Sequence, residues 1–194
     1  MKKLELLKDL RKLILLLSIL LFTYSTAQRT ISLEEETGYL TTGQKTPNDV
    51  TYVKDINGIF DKFNGTWKGI VNGNTIEFRF DKITEGNDSF KRDMLLGRII
   101  AKDANGNVFY NTLNNPDNLA FAGYKFSKNM KIYSMTYGGP KSVDCNEAGY
   151  IYMLMNNNIR LKFIAESGLL KENQCPQDYK FLIPEDTTIT LTKQ

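Results

Sequence analysis

The chain of 194 residues contains no histidine, one tryptophan and only two cysteines. Histidine is the usual general base near neutral pH, so its absence removes the common serine and cysteine hydrolase arrangements. Two cysteines without histidine leave a structural zinc site almost nothing to be built from. Neither a phosphate-cradling glycine loop nor a dinucleotide fingerprint occurs, and no cofactor is expected. Carboxylate-pair chemistry needs only an acid and a base or nucleophile at suitable separation. Glu77, Asp81, Glu85 and Asp93 are available for it, yet Glu77 has an ordinary cross-strand explanation and the others flank a turn. The loop at residues 103–107 is too short and too poor in acids for an EF-hand and reads as a hairpin turn. The expectation is a chain with no catalytic residue, no metal and no enzymatic activity.

Long apolar runs are scarce as well. The run at residues 13–22 is about ten residues, too short for a permanent bilayer span. It follows Lys2, Lys3, Lys8, Arg11 and Lys12 and precedes the small residues Ser25, Thr26 and Ala27. That order reads as an export signal over residues 1–27, cut between Ala27 and Gln28. The expected destination is periplasmic or extracellular, with no integral membrane segment in the mature chain. An excess of one charge is also missing once the signal is set aside, because its five basic and two acidic residues leave 20 of each sign. A neutral chain has no long-range attraction for nucleic acid, and none is expected as a partner. In an exported chain an isolated cysteine pair is read as a disulfide, here Cys145 with Cys175.

What is present is a β pattern. Residues 28–48 are rich in Thr, Glu and Gly with weak apolar content and read as an extended arm, leaving residues 49–194 as a single domain. Val50, Val53, Ile56, Ile59 or Phe60, and Phe63 recur at three and four residues, which predicts a short amphipathic helix ended by Gly65. The Asn72-Gly73 pair then predicts a two-residue type I′ turn. Its register sets Trp67 opposite Phe78, Gly69 opposite Ile76 and Gly65 opposite Phe80 on one face, with Lys68 opposite Glu77 on the other. Gly69 leaves room for a bulky neighbour beside the indole. Further strands are expected at residues 93–102, 108–113, 124–128, 130–135, 150–155, 159–165 and 188–192, with a weaker one at 179–183. Eight to ten short strands joined by Gly and Asn turns describe a barrel or sandwich, and local pairing favours an up-and-down meander.

The run Phe63-Asn64-Gly65-Thr66-Trp67-Lys68 resembles the opening of the calycins, that is, the lipocalins and fatty-acid-binding proteins, whose first strand carries Gly-x-Trp after a short helix. The resemblance implies a lipocalin-like antiparallel β-barrel preceded by a short N-terminal helix. It further implies that Trp67 closes the barrel floor under a late-strand arginine, for which Arg160 is the candidate. Residues 52–80, through Asp55-Ile56-Asn57, Asp61-Lys62-Phe63 and Asn72-Gly73-Asn74, also resemble an uncharacterised family of small exported Bacteroidota proteins. The chain lacks the lipobox cysteine of many of those proteins, and Gln177-Asp178-Tyr179 only partly echoes the Thr-Asp-Tyr motif of true lipocalins.

Two functional readings follow. In the first, the barrel holds a small apolar or amphipathic ligand, since an eight-stranded interior either fills with side chains or admits one small molecule. The candidate ligand-binding residues are Phe78, Phe80, Phe126, Tyr152 and Phe163, within a wider inward set that adds Ile76, Leu96, Phe109 and Leu161. In the second, the core is solid and the domain binds an envelope protein, with Tyr133, Tyr137, Tyr150 and Tyr152 as an aromatic patch.

Overall fold

A computed structural model describes residues 11, 12, 14, 29–141, 144–155, 158–166 and 175–194. The expected Ala27/Gln28 cut and nearly all of the export signal lie outside the described residues. In chain order the elements are β1 (Arg29–Ser32), α1 (Leu33–Thr41), β2 (Val50–Lys54), β3 (Gly65–Val71), β4 (Asn74–Gly86) and β5 (Lys91–Lys102). They continue with β6 (Val108–Asn111), a 3-10 turn at Asp117–Leu119, β7 (Phe121–Phe126), β8 (Ile132–Gly138), β9 (Ala148–Met155), β10 (Ile159–Ala165) and β11 (Thr188–Lys193).

Eight of these strands close a barrel. Strands β3, β4, β5, β7, β8, β9, β10 and β11 follow one another as an up-and-down meander, and β11 returns to pair with β3. Every neighbouring pair in the ring is antiparallel. Closure removes the strand edges within the ring. The free side of β5 is shared by β2 at Lys91 and Arg92, by β7 at Leu96 and Gly97, and by β6 from Ile100 to Lys102. Strand β1 adds in parallel outside β2.

The hairpin register is the predicted one, with Trp67 opposite Phe78, Gly69 opposite Ile76 and Gly65 opposite Phe80. Asn72 and Gly73 have φ of 50° and 81°, the two positive values that a type I′ turn demands. Lys68 does stand opposite Glu77, but the Glu77 carboxylate turns the other way, to Lys102 Nζ of β5 at 3.0 Å. Gly69 leaves room for β11 rather than for Ile76: a Cβ there would lie 2.7 Å from Leu191 Cδ2 and 3.0 Å from the Thr190 carbonyl. Gly65, at φ +114°, turns the chain into β3.

The helix is displaced from its predicted place. It forms at Leu33–Thr41, where Ser32 Oγ accepts a hydrogen bond from the Glu35 amide and Glu34, Glu35 and Glu36 face the positive end of the helix dipole. The 50–63 pattern instead divides into the strand β2, rich in β-branched residues, and a turn-rich segment. Asp55, whose side chain is fully buried, accepts from the amides of Ile59 at 2.6 Å and Phe60 at 3.0 Å and so bends this segment back on itself. Val53, Phe60 and Phe63 are buried as a helical face would have buried them, but Ile56 is 57% exposed.

This segment covers one end of the barrel. Phe60 packs against Phe126 and Tyr133 with ring centroids 5.5 and 5.0 Å away, and Trp67 Nε1 donates to the Phe63 carbonyl at 2.8 Å. The other end is covered by residues 175–187, expected in part as a strand. They run as a strap whose Leu182 and Ile183 are buried and which touches the sheet through an isolated bridge between Phe163 and Glu185. Cys145 and Cys175 form the expected disulfide, with Cα atoms 4.8 Å apart, and tie this strap to the loop between β8 and β9.

Candidate functional sites inside and outside the barrel

The inward residues are buried and touch one another within the barrel. Phe78 stacks on Phe80 with centroids 5.7 Å apart, and Tyr137 lies 5.0 Å from both Phe121 and Phe163. Phe78 and Phe163 are wholly buried, and Phe80 and Phe126 nearly so. Four of the five candidate ligand residues therefore belong to one packed interior. Tyr152 does not join them. It alternates with the buried Ile151 and Met153 on β9 and faces outward. Leu96 also points out of the barrel, where the loop before β7 buries it, and Phe109 is 53% exposed on β6.

Trp67 is buried beside the lumen floor, and a cation does stand over its ring, but the cation is Lys193. Its Nζ is 5.6 Å from the ring centroid, and β11 pairs Lys193 directly with Trp67. Arg160 is exposed on the outer face of β10, because the inward positions there are Ile159, Leu161 and Phe163. The register of β11, set by ring closure, decides which cation reaches the indole.

On the outside, Tyr152 and Arg160 come together. With Ile132, Leu154, Lys162 and Thr188 they line a shallow groove of about 210 Å³, mostly apolar. Tyr152 continues into a tyrosine row, with centroids 6.5 Å apart from Tyr152 to Tyr150 and 6.2 Å from Tyr150 to Tyr124. Lys125 Nζ sits 5.2 Å above the Tyr124 ring. Strands β3 and β7 to β11 carry Lys68, Lys125, Arg160, Lys162 and Lys193 and no acidic residue. The carboxylates of the barrel wall lie on β4 and β5. These six strands thus carry basic residues alone, while Asp186 of the strap pairs with Lys162 at 2.9 Å.

Two buried carboxyl clusters lie at the barrel ends. At the strap end, Glu147 is fully buried and accepts from the Leu182 amide at 2.6 Å, from the Tyr137 hydroxyl at 3.3 Å and from the Tyr179 hydroxyl. Burial, and then the neighbouring Glu147 carboxyl, hold the Tyr137 hydroxyl well above its ordinary range and raise Tyr179 and Tyr110 as well. At the opposite end, Asp93 accepts from Tyr52, Thr84 and the Asp55 amide at 2.7 to 2.9 Å, while Lys82 bridges Asp55 and Asp61 at 2.9 Å each. Burial pushes Asp93 upward, but the hydrogen bonds from Thr84, the Asp55 amide and Tyr52 outweigh it and hold the group below its ordinary range. These carboxyls are engaged in fastening segments to the barrel. Among the described residues, no three His, Cys, Asp or Glu side chains are grouped to hold a metal. No helix among them is long and apolar enough to cross a membrane.

Sequence reasoning had no purchase on Glu147, whose partners lie ten and more than thirty residues away. The helix did leave a signal: Ser32 with Glu35 three residues on is a capping-box pattern at the head of α1.

The architecture defines a small all-β protein, a closed eight-stranded antiparallel barrel with an aromatic-rich interior. The chain belongs to a family of unknown function, DUF6705, whose profile it matches over residues 7–194. No curated protein and no solved structure matches it.

Proposed function

We propose that this chain is an exported, non-enzymatic binding domain of the cell envelope that engages a protein partner through the outer face of β8 to β10. The observation that carries the reading is the contrast between the two faces of the barrel wall. The inward candidates Phe78, Phe80, Phe126 and Phe163 are buried in the core cluster, whereas Tyr124, Tyr150 and Tyr152 form an outward row beside Arg160 and Lys162. Tyrosine and arginine are favoured at protein interfaces because they present large area with a polar tip. With Lys162 paired to Asp186, Arg160 and Lys125 are the cations on this face that select a partner with carboxylates around an apolar contact. The disulfide suits an oxidising compartment.

A photo-crosslinker placed at position 152, compared with one at Arg79 on the opposite wall, tests this in intact cells. The expected result is one envelope protein captured from position 152 only, lost when Arg160→Glu reverses the local charge. Equal capture from both positions, or capture insensitive to Arg160→Glu, would reject the surface. Stoichiometric lipid released from natively purified protein would instead restore the interior as the binding site.

A further inference from the structure

A second recognition feature lies on the opposite wall and is independent of the tyrosine face. A cavity of about 550 Å³ opens there, lined by Ile83, Thr84, Glu85 and Gly86 at the end of β4, by Leu96 of β5, and by Asp117, Asn118, Ala120 and Ala122. The volume falls within the roughly 300–1,000 Å³ of small-molecule sites. We propose that this cavity binds a small amphipathic organic cation, an apolar group carrying an ammonium or amidinium.

The lining argues for that class by both its halves. Ile83, Leu96, Ala120 and Ala122 supply apolar surface, and the alanines leave open the space that larger side chains would take. Glu85, Asp117 and Asn118 supply acceptors at the rim, and the lining contains neither Lys nor Arg. Arg98, which reaches the lining through Asp117, is already committed: its side chain is 10% exposed, Nε donates to the Asn115 carbonyl at 3.1 Å, Nη1 to Asp81 at 3.1 Å, and Nη2 to Asp117. Arg92, opposite Glu85 in the register, is paired with Glu36. Arg98 neutralises Asp117, so the charge a ligand would meet is the unpaired Glu85 carboxylate, which favours a cation over an anion. Glu85 makes no ion pair or hydrogen bond among the described residues, so its carboxylate is available to a ligand. The same Arg98 bonds fix the 115–117 segment against β4 and β5 and hold the wall of the cavity in place before any ligand arrives. A preformed wall lowers the ordering cost of binding.

The test uses 4-phenylbutylamine with 4-phenylbutanol and 4-phenylbutyrate, three probes of one size and different charge, followed by amide NMR shifts of the mature protein. The expected result is saturable binding of the amine that shifts the Leu96, Asn118 and Ala122 amides, with the alcohol and the acid about tenfold weaker or worse. Glu85→Gln, an exposed substitution, should weaken the amine about tenfold, as loss of one charge-assisted contact does. Ala122→Leu should block all three probes by filling the floor. Tyr152→Ser should leave amine binding unchanged, which separates this site from the proposed protein-binding face. Equal binding of the acid or alcohol, or amine binding indifferent to both Glu85→Gln and Ala122→Leu, would overturn the proposal.

Discussion

Replacing Glu147 by alanine is the sharpest test of how the strap is held. The carboxyl is fully buried and receives the Leu182 amide, the Tyr137 hydroxyl and the Tyr179 hydroxyl. Leu182 and Tyr137 are themselves buried, so truncation orphans two donors that water does not readily reach. Each buried orphan costs about 1–3 kcal/mol, whereas Tyr179, half-buried, turns to solvent at little cost. The expected loss is about 3–5 kcal/mol, a large share of the roughly 5–15 kcal/mol that such domains possess. For a domain of this size that corresponds to a fall in Tm of about 10–15 °C. Urea unfolding of the disulfide-intact protein, followed by circular dichroism, measures it as a shift in midpoint at constant slope. Glu147→Gln keeps an acceptor oxygen for the Leu182 amide and should lose less than half as much. Hydrogen exchange at Leu182 then reports whether the strap opens alone or with the barrel. A loss below about 1 kcal/mol for Glu147→Ala would refute the reasoning, leaving burial of Leu182 and Ile183 and the disulfide as the fastening.

The remaining expectations concern packing and pH. Gly69→Val places branched carbon where a single Cβ already meets Leu191 and the Thr190 carbonyl, so the closing pair β3–β11 should part at a cost of about 1–3 kcal/mol, read as a lower urea midpoint. Burial raises Tyr133, Tyr137 and Tyr179 in the folded state, so the stability they contribute is complete below about pH 10, where unfolded tyrosines titrate, and drains away above it. Alkaline unfolding should therefore begin above about pH 10 and shift upward in Tyr137→Phe; an unchanged midpoint in that variant would contradict it.

The parts that were legible in the sequence are those governed by neighbours in the chain. Asn72-Gly73 sets two positive φ values in a row, and with them the whole β3–β4 register, because a two-residue loop leaves no freedom to slip. The meander follows for the same reason, since most strands pair with the next one along. The failures have equally local causes. The spacing of Val50, Val53, Phe60 and Phe63 imitates a helical face because a strand followed by a turn also buries residues at irregular intervals. In β5 the residues from Asp93 to Ile99 are buried without a break, since strands cover one face and the 112–120 loop the other, and alternation no longer tells inside from outside. The sequence pattern assigns Leu96 to the lumen for want of that information.

The sequence by itself determined an all-β chain, its first hairpin, its cysteine pair and its lack of histidine chemistry, all of which depend on residue type or on contacts a few positions apart. Tertiary structure alone decided which aromatic residues are buried inside the barrel, that Tyr152 and Arg160 meet on the outside, that Lys193 rather than Arg160 covers Trp67, and that Glu147 fastens the strap. The Lys193 contact depends on ring closure, which brings β11 to β3, and the Glu147 contacts on the strap meeting the β8–β9 loop, across separations that no local pattern encodes. Tyr152 and Arg160 are neighbours in the β9–β10 hairpin, and the tertiary fold decides which face of it points outward.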